Sequence, residues 1–397
     1  MLTPYLPYPP NSGGQIRTFN LLKNLSQEHS ITLVCLYKNE AEKAHAAALE
    51  PFCAAVHLCK RPEKPWQISN VLKAVFGPLP FLIVRNYSSE AAATVERLLH
   101  TQHFDVIHAE TFYVMPHIPT TSIPILLVEQ TLEYRVYKHY ISKLPWFLHH
   151  PLRIDTFKLK FWESYYWKRA QLVAAVSEAD AVAIRTLSKG VRPVVIPNGA
   201  TDEMFATQKE ASHITVHKEN TILFVGNFAW LQNTEAAGFL LDEVTPLLHE
   251  LKKKVHIIIA GQGIPLSFKK QKPNYVTFVD LTDASNEFVQ KLYQSAAVFA
   301  APIFGPGGTR LKILTAMASR VPVVTTKTGA EGLFLEDEKS VLLAEDARSF
   351  AEKLARLLDD ESLQNAIADS AYQSALNHFS WKSITKSLVE AYKTIIA

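Results

Sequence analysis

Cysteine is scarce and unpatterned. Cys35, Cys53 and Cys59 make no CxxC pair and no Cys/His spacing of the structural-zinc kind. A disulfide-stapled scaffold and a zinc fold are therefore excluded as organising principles, and three unpatterned thiols in 397 residues fit a reducing, cytoplasmic compartment. Long apolar runs are missing too. Those near 123–128 and 296–304 fall far short of the roughly 20 residues a membrane-spanning helix needs. The opening MLTPYLPYPP has neither the basic n-region nor the apolar h-region of a secretory signal. No DxD motif occurs, and no metal and no bound cofactor are expected. Excess charge of one sign is absent as well: 41 Lys and Arg face 38 Asp and Glu, and a net +3 argues against a bulk nucleic-acid binder.

What is present is the alternation of short apolar runs with longer periodic segments that marks βα units around parallel sheets. Candidate strands are 30–36, 106–109, 123–128, 172–175 and 194–196, then 221–225, 255–259, 276–279, 298–301 and 321–325. Only Met1–Tyr5 precede a proline-rich turn, so either the first strand is short or the start is truncated. Between the two series, Pro197–Ala206 and the polar stretch 207–220 place a domain boundary near residue 200. The last segment, 381–396, carries Ile384, Leu388, Tyr392 and Ile395 at helical spacing.

Two glycine-rich turns stand at helix starts. NSGG, residues 11–14, precedes a segment with Ile16, Phe19, Leu22 and Leu25 on one helical face. Gly13 and Gly14 there either admit an anion to backbone N–H groups or simply make the turn. The stronger signal is FGPGGTRLKILTAMA, residues 304–318, where Gly307, Gly308 and Thr309 precede Arg310 and Lys312. Cations in the first turn of a helix oppose its dipole unless an anion sits beside them, so this turn points to a bound phosphate.

These stretches, with FDVIHAE (104–110), VAAVSEADA (173–181), VIPNG (195–199), LFVGNFAW (223–230), GGTRLKILTAMASRVPVV (307–324) and TGAEGL (328–333), resemble the family-four retaining glycosyltransferases of GT-B fold. The resemblance covers nearly the whole chain. It implies an α/β architecture of two Rossmann-like doubly wound domains facing across a cleft: 1–200 for the acceptor, with helix 381–397 crossing back to it, and 201–380 for the nucleotide diphosphate sugar. It further implies transfer of a sugar to an acceptor hydroxyl on a glycan, lipid-linked or small molecule, with retention and without a metal. The leaving phosphate itself would take the acceptor's proton.

By that resemblance Gly13 and Gly14 line the donor phosphates, and Gly226 and Asn227 lie beneath the donor. Thr315 stands where many members place a glutamate on the ribose, and Gly307 replaces its partner glutamate. Arg310 and Lys312 substitute for an Arg and Lys that many members carry after the strand at Leu223. Gln130, in VEQTLEYR (128–135), replaces a histidine beside the reacting sugar, and it can donate a hydrogen bond but cannot titrate. His108 and Glu110 end a strand at the carboxyl edge, where either would hold an acceptor hydroxyl and Glu110 would serve as base, or where the histidine is simply a buried one. Glu331 matches a loop near the donor. These departures leave open a second reading, a GT-B protein that binds a nucleotide sugar without turning it over.

Residues 138–169 contain seven basic and two acidic residues and three of the six tryptophans. Aromatics interleaved with lysines suit an anionic headgroup layer, and peripheral membrane association is expected there. The alternative is a helix packed on its own domain through the same rings.

Overall fold

The structure is a computed structural model. It describes residues 1–396 apart from 65, 143, 146–148, 201–203, 206–219, 271–272 and 306–310, and the side chains of 150, 151, 269 and 270 are likewise not described. Contacts divide the chain into two compact units, Met1–Pro197 with the C-terminal segment from Lys382, and Asn198–Gly305 with the chain up to Trp381.

In the first unit seven parallel strands lie in the order β3-β2-β1-β4-β5-β6-β7. They are β1 (Leu2–Thr3), β2 (Thr32–Tyr37), β3 (Ala55–Lys60), β4 (Ile107–Glu110), β5 (Ile125–Glu129), β6 (Leu172–Ala175) and β7 (Val194–Val195). The two-residue β1 is central: Leu2 pairs with Val34 on one side and Ala109 on the other. The second unit repeats the order as β10-β9-β8-β11-β12-β13. Its strands are β8 (Thr221–Asn227), β9 (His256–Gln262), β10 (Val276–Asp280), β11 (Val298–Ala301), β12 (Val323–Thr325) and β13 (Leu342–Leu343). Each order reverses beside its first strand, so each sheet has a switch point where an open α/β sheet takes its ligand, between β1 and β4 and between β8 and β11.

Every residue of β4, β5 and β11 is buried, as parallel strands covered on both faces require. Alternate residues serve opposite layers: Ile222, Phe224, Val298 and Ala300 join one core cluster and Leu223, Phe299 and Ala301 the other. Two strands escape the sequence reading. β3 is an edge strand, half-exposed and interrupted by His57, and β13 has only two residues, so neither shows an apolar run. The helix Gly13–Leu25 is rotated from its expected face. It buries Arg17 and Thr18 with Leu21, Leu22 and Leu25, while Ile16 and Phe19 are half-buried. No helix among the described residues is long and apolar enough to cross a membrane.

Carboxylates are buried where helices meet β5. Glu129, its last residue, accepts the Trp167 indole N–H at 2.7 Å. Glu163, on the helix His149–Arg169, accepts the N–H groups of Glu133 and Tyr134 at 2.7 and 3.2 Å and so caps the helix Glu133–Ser142. Burial first, and the carboxyls of Glu129 and Glu133 second, push Glu163 well above the ordinary range. A group whose folded pKa is raised holds its proton more tightly when folded, so its contribution is lost as pH rises above the ordinary value. Glu163→Gln keeps an acceptor oxygen and removes the ionisation. Its thermal midpoint should therefore gain on that of wild type as the pH rises from about 5 towards neutrality. A constant difference over that range would show that the folded carboxyl is already ionised.

Candidate active site

At the first switch point, residues two apart on β4 share a face, and His108 and Glu110 therefore project together, both buried. Thr111 follows with φ of 75°, a left-handed conformation uncommon outside glycine, and its N–H donates to the Val128 carbonyl at 2.7 Å. Three donors close on Glu110. His108 Nε2 lies 2.9 Å from Oε1, Arg17 Nε lies 3.8 Å from the same oxygen, and Gln130 Nε2 donates to Oε2 at 2.5 Å. Gln130 Nε2 also donates to the Tyr5 hydroxyl at 2.8 Å, and that hydroxyl lies 3.3 Å from Thr18 Oγ1. Arg17 Nη1 donates to the carbonyls of Ile196 and Pro197 at 3.2 and 2.9 Å.

Burial by itself would raise the Glu110 carboxyl, but His108, then Arg17 and Gln130, outweigh it and hold the carboxyl below its ordinary value. Burial lowers His108 against the opposing pull of Glu110. The pair is thus a carboxylate beside a neutral imidazole. Its bonding assigns the ring proton to Nε2, facing Glu110, and leaves Nδ1 to accept from the Tyr392 hydroxyl at 2.5 Å. Gly14 has a packing reason of its own: a Cβ there would meet Tyr5 Oη at 2.4 Å and Gln130 Oε1 at 2.6 Å. Gly13, one residue earlier, is exposed.

At the second switch point β8 and β9 end in a glycine pair. Gly261 has φ of 154°, and a Cβ on it would lie 1.7 Å from the Gly226 carbonyl oxygen. Asn227 donates from Nδ2 to Gln262 Oε1 at 3.0 Å and accepts the Ala229 N–H at 3.0 Å. Asn233 Nδ2 donates to the Asn227 carbonyl at 2.5 Å. Lys312, on the helix Leu311–Ala318, donates from Nζ to Asn233 Oδ1 and lies 4.9 Å from the centroid of the Phe224 ring. Lys312 thus comes from far along the chain to the strand end that holds Gly226 and Asn227. Thr315, one turn further, donates its hydroxyl to the Leu311 carbonyl at 2.9 Å. Glu331 is exposed after the short helix Lys327–Ala330 that follows β12. Gly307, Gly308, Thr309 and Arg310 lie outside the described residues.

Sequence reasoning did not single out Tyr5, Arg17, Asn233 or Gln262, and it read Tyr392 only as an apolar-face position. The available signal was Arg17, a charge placed among the apolar positions of its helix. An arginine and a glutamate that are both fully buried depend on each other, because a charge left alone in the interior is costly. Glu110→Ala should therefore cost about 3–5 kcal/mol of unfolding free energy, read from denaturant titration. A loss under about 1 kcal/mol would mean that solvent already screens the pair.

Residues 11–203 match the family model described as Glycosyltransferase Family 4, and residues 219–360 match that described as Glycosyl transferases group 1. The chain is 24% identical, over a 413-residue alignment covering 96% of each protein, to an uncharacterized 44.6 kDa protein in the cps region of Klebsiella pneumoniae. It is 30% identical over 131 residues, 32% of this chain and 33% of the relative, to the capsular polysaccharide biosynthesis glycosyltransferase CapM of Staphylococcus aureus. HepE of Anabaena, solved in complex with UDP and glucose, has the same fold, with a TM-score of 0.66 at 15% identity over 99% of this chain and 98% of that one. Two Rossmann-like sheets, the second and all but β1 of the first lying within regions matched by these family models, place the protein among the family-four, group 1 glycosyltransferases of GT-B architecture.

Proposed function

We propose that this glycosyltransferase moves a sugar from a nucleotide diphosphate sugar to a hydroxyl of a glycan or lipid-linked acceptor, with retention. The observation that carries the reading is the meeting of Lys312 with Gly226, Asn227 and Asn233 at the end of β8. An amine at this strand end suits a diphosphate, because the cation answers charge that grows as the sugar departs. HepE holds UDP and glucose, and CapM serves capsular polysaccharide biosynthesis, which supports a nucleoside diphosphate donor and a polysaccharide destination.

In the step so read, the bond from the anomeric carbon to the diphosphate oxygen breaks, and a bond to the acceptor oxygen forms on the same face. The acceptor's proton passes to the leaving phosphate oxygen. Lys312 and Arg310, with the glycine-rich turn from Gly307 to Thr309, carry the neutralising role, in place of a metal ion. Thr315 serves the ribose: its own proton is given to Leu311, so its lone pairs remain to accept. Glu331 serves the donor side, and Gly13 the phosphates. Gln130 is half-buried and touches the reacting groups, whereas Glu110 and His108, sealed from solvent, act as positioning residues that hold its amide. Residues 138–169 hold the protein peripherally to the membrane that carries a lipid-linked acceptor.

Incubation with a panel of nucleotide sugars, with product anomers read by NMR, tests the reading. Donor binding with neither hydrolysis nor transfer across the panel would overturn it. In calorimetry with UDP, Lys312→Ala should weaken binding by about 1.5–3 kcal/mol, the range for hydrogen bonds to charged groups, and unchanged affinity in a folded variant would remove Lys312 from the donor site. Because an amide does not titrate, the wild-type rate should show no ionisation from position 130, and Gln130→His should introduce one near pH 6.5, about the ordinary histidine value. A profile identical in both proteins would place residue 130 away from the reacting groups.

A further inference from the structure

Two helices of the first unit carry apolar stripes that face solvent. On the helix Ile68–Phe76, Ile68, Leu72, Val75 and Phe76 fall within one face and are 80%, 51%, 61% and 84% exposed, while Asn70 and Ala74 on the opposite face are buried. On the helix His149–Arg169, Ile154, Phe157, Phe161 and Tyr165 form a second stripe, each about half exposed or more. Isolated exposed apolar residues are ordinary, but two aligned stripes are not.

Polar bonds join the two helices. Lys158 Nζ donates to the carbonyls of Ala74 and Gly77, both at 2.7 Å, and Trp162 Nε1 donates to the Pro78 carbonyl at 3.0 Å. Asp155 accepts the Phe81 N–H at 2.8 Å, and the Trp66 ring stacks on Phe81 with centroids 4.7 Å apart. These bonds also sort the charges. Both acids of the longer helix are turned inward, Asp155 onto Phe81 and Glu163 onto the helix Glu133–Ser142. Arg153, Lys160 and Lys168 stay exposed beside its stripe. The shorter helix has no acid at all and exposes Lys73.

We infer that the two stripes form one docking surface for an anionic lipid bilayer, with Ile68, Leu72, Phe76, Phe157 and Phe161 entering the acyl boundary and Arg153, Lys160, Lys168 and Lys73 meeting the headgroups. The occupant follows from this pattern among the described residues of the two helices: apolar and aromatic groups at the centre, exposed cations beside them, and acids withdrawn to the protein side. The helix Ile68–Phe76 lies outside the basic segment 138–169, so the surface is larger than that segment. It needs no catalytic turnover, and lipid binding therefore stands or falls apart from sugar transfer.

The full chain is sedimented with phosphatidylcholine vesicles, with and without phosphatidylglycerol. It should pellet with the anionic vesicles and weaken in salt. Phe76→Ser with Phe157→Ser should reduce partitioning by about tenfold or more, because the apolar insertion is lost. Lys160→Ala should reduce it by about fivefold, as one cation near the surface is worth. Leu266→Ser, an exposed apolar residue of the second unit, should leave it unchanged. Equal binding to neutral and anionic vesicles, or wild-type binding by the Phe76/Phe157 variant, would overturn the proposal. So would failure to bind vesicles together with dimerisation in light scattering abolished by Phe76→Ser, which would assign the stripes to a second copy of the chain.

Discussion

The Arg17–Glu110 pair, fully buried with 3.8 Å between Nε and Oε1, is the interaction on which the first unit depends. Neither charge can be left alone in the interior, so the segments that supply and satisfy them must sit together. Arg17 brings the first helix to the carbonyls of Ile196 and Pro197, at the end of the unit's chain. Glu110 brings His108 and Gln130, and His108 brings Tyr392 of the C-terminal segment. Five segments scattered through the sequence are thereby bound around one carboxylate, at the crevice where the strand order reverses.

The second unit meets the same topological problem with different chemistry. Its strand end is held by amides: Asn227 with Gln262, and Asn233 with the Asn227 carbonyl. The glycine pair Gly226 and Gly261 lets β8 and β9 approach more closely than any side chain would permit. The cation at this edge, Lys312, comes from a helix 79 residues after Asn233, and it reaches the loop after β8 where this chain has no Arg–Lys pair of its own. A strand end organised, among the described residues, by neutral amides and the amine of Lys312 suits a dianionic ligand better than a crevice that already contains its own ion pair. This is the physical ground for proposing that the donor binds the second unit.

Much of the fold was legible in the sequence because burial on both faces of a parallel sheet demands unbroken apolar runs. β5, β6 and β11 are such runs, and the expected strands lie within two or three residues of the observed ones. Edge strands have weaker demands, and β3 and β13 left no comparable trace. The rotation of the helix Gly13–Leu25 was also hidden: the spacing of Ile16, Phe19, Leu22 and Leu25 marks an apolar face, but Glu110 draws Arg17 inward and Thr18 turns to the Tyr5 hydroxyl, while Ile16 and Phe19 are only half-buried. The apolar stripe of Ile68–Phe76 was overlooked for the opposite reason. Its periodicity reads as a core face, and only accessibility shows that it points outward.

The amino-acid sequence by itself determined the α/β class, the two sheets and the family, because each rests on local pattern: apolar period, glycine placement and ordered motifs. Tertiary structure alone decided which polar groups meet. That Glu110 is enclosed by Arg17, His108 and Gln130, that Lys312 returns to Asn233, and that Asp155 and Glu163 face inward while their basic neighbours remain outside are facts of distance between residues remote in the chain. Spacing along a chain records the period of an element, whereas a buried charge selects its partner by geometry and desolvation, which exist only once the elements have packed.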